Sequence, residues 1–157
     1  LPLPFAIVSI LLGVLMIAGA DVDARTQLLP DVVTVGAAAL GIIAAAFLSV
    51  DNPWENVASA ILRAGVGALA LQSLRIAHMR LRGIEGLGFG DVKLTAAIGA
   101  WLRLELIPVC FVLATTAALL FLVIRRSGRP IGQEKLPLGA FLCPSLWLVF
   151  FVDALPG

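Results

Sequence analysis

The chain has 157 residues, of which 61% are hydrophobic and only 13% charged, and its mean hydropathy is +1.06. A water-soluble domain is roughly 45–50% apolar and about 25% charged, so a soluble globular fold is excluded and lipid is the expected solvent. The net charge of +1 supplies no field that would attract nucleic acid, and no nucleic-acid partner is expected.

A helix needs about 20 mainly apolar residues to cross a bilayer. In chain order the sequence predicts six apolar helices, over residues 4–20, 32–50, 57–77, 92–102, 106–124 and 138–152. The expected fold class is therefore all-α, a polytopic membrane protein built as one bundle of six transmembrane helices, with residues 1–157 forming a single domain. Ala18-Gly19-Ala20 has the small residues of a signal-peptide cleavage site, but no basic segment precedes it, and the first helix is read as a span. The fourth helix is too short to cross comfortably alone. It is expected either to be lengthened by the Gly-rich segment before it or to lie tilted within the bundle. Small residues four apart, Ala37 and Gly41, Thr95 and Gly99, Ala96 and Ala100, are assigned to close helix packing.

Lys and Arg are unevenly distributed among the links. Arg25 follows the first helix, Arg75, Arg80, Arg82 and Lys93 bracket the third link, and Arg125, Arg126, Arg129 and Lys135 follow the fifth helix. By the positive-inside rule these links face the cytoplasm and both termini face outward. Arg63 falls inside the third helix, where it either snorkels or pairs with an acid. Cys110 and Cys143 lie within apolar runs without a CxxC pattern. They read as buried, inert thiols, and neither a metal site nor a disulfide framework is expected.

Charged groups at the edges of apolar spans are expensive and by default functional. Asp91 ends Gly86-Leu87-Gly88-Phe89-Gly90-Asp91 and opens the fourth helix. Glycines there let another chain come close, which suits a cleft for an extended peptide. The bland alternative is that Asp91 is an N-cap. No βαβ pattern surrounds these glycines, so a dinucleotide site is excluded. Asp23 ends the first helix, in Asp23-Ala24-Arg25-Thr26-Gln27-Leu28-Leu29-Pro30-Asp31, where Asp31 is expected to cap the second helix. Asp21 and Asp23 are two apart and point to different helix faces. His78 reads as an interfacial residue.

Two of these stretches together resemble the type IV prepilin peptidases, aspartic intramembrane peptidases of the GxGD kind. The first is an Asp, six residues, then Pro-Asp, at Asp23 and Pro30-Asp31. The second is Gly88-Phe89-Gly90-Asp91-Val92-Lys93-Leu94, continued by Thr95-Ala96-Ala97-Ile98-Gly99-Ala100-Trp101. A third stretch, Leu136-Pro137-Leu138-Gly139, is similar to the family's Pro-Phe-Gly-Pro element but departs from it at Leu138 and Ala140. The register selects Asp23 over Asp21. The resemblance implies an endopeptidase of the bacterial cytoplasmic membrane with Asp23 and Asp91 as catalytic pair, needing no cofactor or metal. Gly88, Gly90, Lys93, Pro137 and Gly139 are then the expected substrate-binding residues. The implied partner is a prepilin-like substrate with a hydrophobic N-terminal helix and a basic leader, cut at the cytoplasmic face, in contact with membrane lipid. Since the family's CxxC-bearing loop is not seen, peptidase activity without N-methyltransferase activity is expected. An oligomeric state is not specified.

Such a pair shares one proton, one carboxylate taking a proton from water and the other donating to the leaving amine. A helix N-terminus favours an anion and a C-terminus disfavours it, so Asp91 is expected to act mainly as base and Asp23 as donor. Two rivals remain in the sequence. One is a non-catalytic transport or secretion-assembly component using both acids as a proton relay. The other is a different GxGD peptidase, such as a preflagellin peptidase. The presenilin branch carries Tyr-Asp, and this chain has no Tyr.

Overall fold

The computed structural model describes residues 3–26, 29–48, 52–82, 88–125 and 138–155. These form six helices: α1 (Leu3–Thr26), α2 (Asp31–Phe47), α3 (Pro53–Arg82), α4 (Phe89–Trp101), α5 (Ile107–Arg125) and α6 (Leu138–Asp153). No strand occurs among the described residues. The protein is all-α, as its composition requires. α1, α3 and α5 are long and apolar enough to cross a membrane, whereas α2 and α6 are shorter apolar helices.

Proline marks the helix starts. Pro4, Pro53 and Pro108 lie in the first turns of α1, α3 and α5, and Pro30 is the N-cap of α2. A first turn has no intrahelical use for the missing N–H, and the fixed φ of proline is already helical. Pro144 is the exception, inside α6.

α1 is longer than its apolar run. Residues 21–26 continue the helix because the polar side chains among them find partners along it. Arg25 Nε donates to Asp21 Oδ1 at 2.9 Å, and Thr26 Oγ1 to the Val22 carbonyl at 2.8 Å. α3 likewise runs past its apolar core at both ends.

α4 decides the architecture. With 13 residues it is about 20 Å long at 1.5 Å per residue, short of the roughly 30 Å hydrocarbon core. It is buried rather than exposed to lipid, packed against α2, α3 and α6. Leu94, Ala97 and Ile98 are fully inaccessible and join Leu12, Met16, Leu142 and Leu146 in the core. α1 packs on α2 and α6, and α5 flanks α6.

Small residues set these spacings. A Cβ on Gly99 would lie 2.5 Å from the Arg63 carbonyl oxygen and 2.8 Å from Ala64 Cα, so α3 and α4 meet backbone to backbone. Gly41 makes room for the Trp101 ring, whose Nε1–H donates to the Ala37 carbonyl at 2.7 Å. The packing roles expected of the Ala37/Gly41 and Thr95/Gly99 pairs are thus realised. Arg63 neither snorkels nor pairs with an acid through the bonds it makes here. Its Nε donates to the Gly99 carbonyl at 3.3 Å and its guanidinium to Ser59 Oγ at 3.0 Å. A cation at the last turn of α4 suits the partial negative charge there.

Candidate active site

Because the helices alternate in direction, the C-termini of α1, α3 and α5 and the N-termini of α2, α4 and α6 share one end of the bundle. Asp23 and Asp91 are both at that end, on helices far apart in sequence. α2 and α6, the neighbours of both α1 and α4, bring them together. The two carboxylates lie within electrostatic reach of each other, and both lie within reach of Cys143 on α6.

Asp23 is 6% exposed. Its Oδ2 accepts a hydrogen bond from the Ala140 backbone N–H at 2.8 Å, one of the N–H groups at the start of a helix that have no intrahelical partner. Gly139 beside it has no room for a side chain, since a Cβ would stand 2.8 Å from Asp23 Oδ2 and 3.0 Å from Cγ. Asp21 is exposed and engaged with Arg25. The helix twist that points residues two apart to different faces therefore sends Asp23 inward and Asp21 outward.

Asp91 is half-buried in the first turn of α4. It is not the N-cap. Gly88 holds that position, in extended backbone without a side-chain cap, and the Asp91 N–H donates to the Gly88 carbonyl at 3.2 Å. The side chain is thus left free of a capping duty. Thr95 Oγ1 bonds the Asp91 carbonyl at 2.7 Å. Asp31 also differs from its expected role. The N-cap of α2 is Pro30, with no side-chain cap, and Asp31 is the first helical residue. Its carboxylate meets Lys93 Nζ at 2.6 Å instead.

The helix-end argument for separating the two acids loses its basis. Asp91 stands in the first turn of α4, but Asp23, although at the end of α1, faces the N-terminus of α6. Both carboxylates meet a partial positive charge. The Ala140 contact crosses from one helix to another and had no local signal in the sequence.

Among the other expected site residues, Gly88 is exposed. Gly90 packs on Leu29, whose Cβ would be 3.2 Å from a Cβ at position 90. Gly139 lies against Asp23, and Lys93 against Asp31. Pro137 lies outside the described residues. His78, on α3, is half-buried. An apolar groove of about 270 Å3 between α5 and the start of α6, lined by Thr115, Ala118, Leu119, Leu122 and Leu138, ends beside Gly139. Among the described residues no group of three or more His, Cys, Asp or Glu is gathered to hold a metal ion.

Fold and site together define a helical membrane protein with two carboxylates from different helices at one end of the bundle. A family model described as the type IV leader peptidase family matches residues 10–123, and the chain belongs to that family. It is 34% identical over 145 residues to the prepilin leader peptidase/N-methyltransferase of Xanthomonas campestris, covering 91% of this chain and 49% of the relative. The protein of the same name from Dichelobacter nodosus is 34% identical over 144 residues, covering 90% and 47%. That from Dickeya chrysanthemi is 35% identical over 156 residues, covering 94% and 53%. The chain thus spans about half the length of these relatives. No solved structure matches.

Proposed function

We propose that this chain is a membrane-embedded aspartic endopeptidase that removes the leader peptide from type IV prepilin-like substrates, with Asp23 and Asp91 as its catalytic carboxylates. The observation that carries the reading is the pairing of two acids from α1 and α4 within electrostatic reach, one of them buried and bonded to the Ala140 N–H. Membership of the leader peptidase family supports it, and the proton-relay alternative is not favoured beside relatives named as prepilin leader peptidases.

In the proposed reaction one carboxylate of the pair takes a proton from water as the oxygen attacks the scissile carbonyl. The other carboxyl, protonated, hydrogen-bonds the carbonyl oxygen as charge develops. Collapse of the tetrahedral intermediate breaks the C–N bond, and the proton goes to the leaving amine. Two like charges within electrostatic reach do not both ionise easily, so in this reading one proton is shared and titration belongs to the pair. The Ala140 N–H orients the Asp23 carboxyl throughout. Exposed Gly88 gives the extended leader an approach to Asp91 without side-chain obstruction, while Gly90 and Gly139 let Leu29 and Asp23 pack closely beside it. The apolar groove ending at Leu138 suits the hydrophobic segment that follows a leader. The six helices form one domain in the bacterial inner membrane, with the basic links and the acid pair on the cytoplasmic side and both termini outward.

Co-expression with a type IV prepilin in bacterial membranes tests this. Wild type should shorten the prepilin on a gel, while Asp23→Ala and Asp91→Ala, inserted to the same level, should not. No cleavage by wild type, or cleavage by either variant at the wild-type rate, refutes the proposal.

A further inference from the structure

We infer that Asp31 and Lys93 are positioning residues, whose ion pair ties the start of α2 to the first turn of α4 and so sets where Asp91 stands relative to Asp23. The inference rests on the peptidase reading above.

Lys93 Nζ lies 2.6 Å from Asp31 Oδ1, and its side chain is only 29% exposed. The ammonium also lies 4.9 Å from the centre of the Phe89 ring, and that ring carries the Arg75 guanidinium of α3 at 5.5 Å. The cluster Asp31, Lys93, Phe89 and Arg75 therefore joins α2, α4 and α3 at the end of the bundle that bears the acids. Lys93 is two residues beyond Asp91, about 200° around the helix at 3.6 residues per turn. It stands on the far side of α4 from the carboxylate and acts on it through the helix rather than by contact.

The same first turn of α2 is locked to α1. A Cβ on Gly19 would lie 2.7 Å from Val33 Cγ1, so α1 and α2 touch one turn before Asp23. Leu29, just before α2, presses on Gly90. An unbroken series of contacts thus runs from Asp23 along α1 to Gly19, across to Val33, back to Asp31, and over to Lys93 on the helix that carries Asp91. The other end of α4 is held separately, by Trp101 on the Ala37 carbonyl and by Arg63 on the Gly99 carbonyl. Releasing Lys93 leaves α4 anchored at its C-terminus and looser where Asp91 sits. Asp31 is 71% exposed, and a pair open to solvent contributes little to global stability. Its loss therefore shifts geometry without unfolding the bundle.

The test is cleavage of a purified prepilin by the detergent-solubilised chain, with rates normalised to folded protein, beside hydrogen exchange of residues 88–96. Asp31→Asn and Lys93→Met should each lower kcat about ten-fold, as expected for a reacting group displaced by a fraction of an ångström. KM should stay within two-fold, and the double variant should be no slower than the slower single. Lys93→Arg should keep most of the rate. Exchange of the 88–96 amides should quicken in both singles. Wild-type kcat and exchange in the singles overturn the inference. So does a raised KM confined to Lys93→Met, which would make Lys93 a substrate contact. So does additivity in the double variant. An inactive wild type would sink the peptidase reading instead, while faster or unchanged exchange still decides for or against the tie.

Discussion

Replacing Gly139 by Ala tests the Asp23 environment with a single methyl group. The added Cβ would stand 2.8 Å from Oδ2, 3.0 Å from Cγ and 3.4 Å from Oδ1 of Asp23. Non-bonded heavy atoms settle at about 3.5–4.0 Å, so the carboxyl must retreat by roughly half an ångström or more. That movement lengthens the 2.8 Å bond from Ala140 N–H, and a hydrogen bond to a charged group contributes about 1.5–3 kcal/mol. With about 1.4 kcal/mol per factor of ten in rate, kcat should fall about 10- to 100-fold. KM should change little, because the perturbed group acts on the reacting bond and not on the substrate's apolar segment. The assay is steady-state cleavage of purified prepilin, with a thermal melt in detergent to show that the bundle persists. A Gly139→Ala protein with kcat within two-fold of wild type would show that Asp23 need not occupy this position.

Asp23→Asn and Asp91→Asn should abolish cleavage while leaving membrane insertion intact. Asp21→Asn should retain near wild-type activity, because Asp21 is exposed and pairs with Arg25; a gel-shift assay on all three separates the register from its two-residue alternative. Gly99→Ala should destabilise the bundle by about 1–3 kcal/mol, the usual cost of overpacking, since its Cβ would meet the α3 backbone at 2.5 Å; an unchanged melt would show that α3 can move aside. Cleavage should persist in excess chelator, as expected for water activated by carboxylates, and loss of activity restored by added metal would contradict the acid-pair mechanism.

Much of this is legible in the sequence alone. An apolar content of 61% leaves lipid as the only solvent that spares the exposed surface, and helices satisfy their backbone within one segment. The apolar runs therefore located six helices to within a few residues. They missed the continuation of α1 to Thr26, because its last turns are held by side-chain bonds that hydropathy does not register. The helix parity placed Asp23 and Asp91 at one end. The spacing from Asp23 to Pro30 and the glycines before Asp91 singled out the two acids.

Local pattern failed where the partner came from another helix. Asp31 read as a cap and bonds Lys93; Asp91 read as a cap or a catalyst, and Gly88 takes the cap. The helix-dipole assignment weighed Asp23 only against its own α1, because nothing near it in sequence announces that α6 will deliver the Ala140 N–H. Periodicity and composition act over a few residues and so determine which segments are helical and which charges are costly. Which backbone group meets which carboxylate depends on interhelical distances, and those emerge only when Gly19, Gly99 and Gly139 let the helices close on one another.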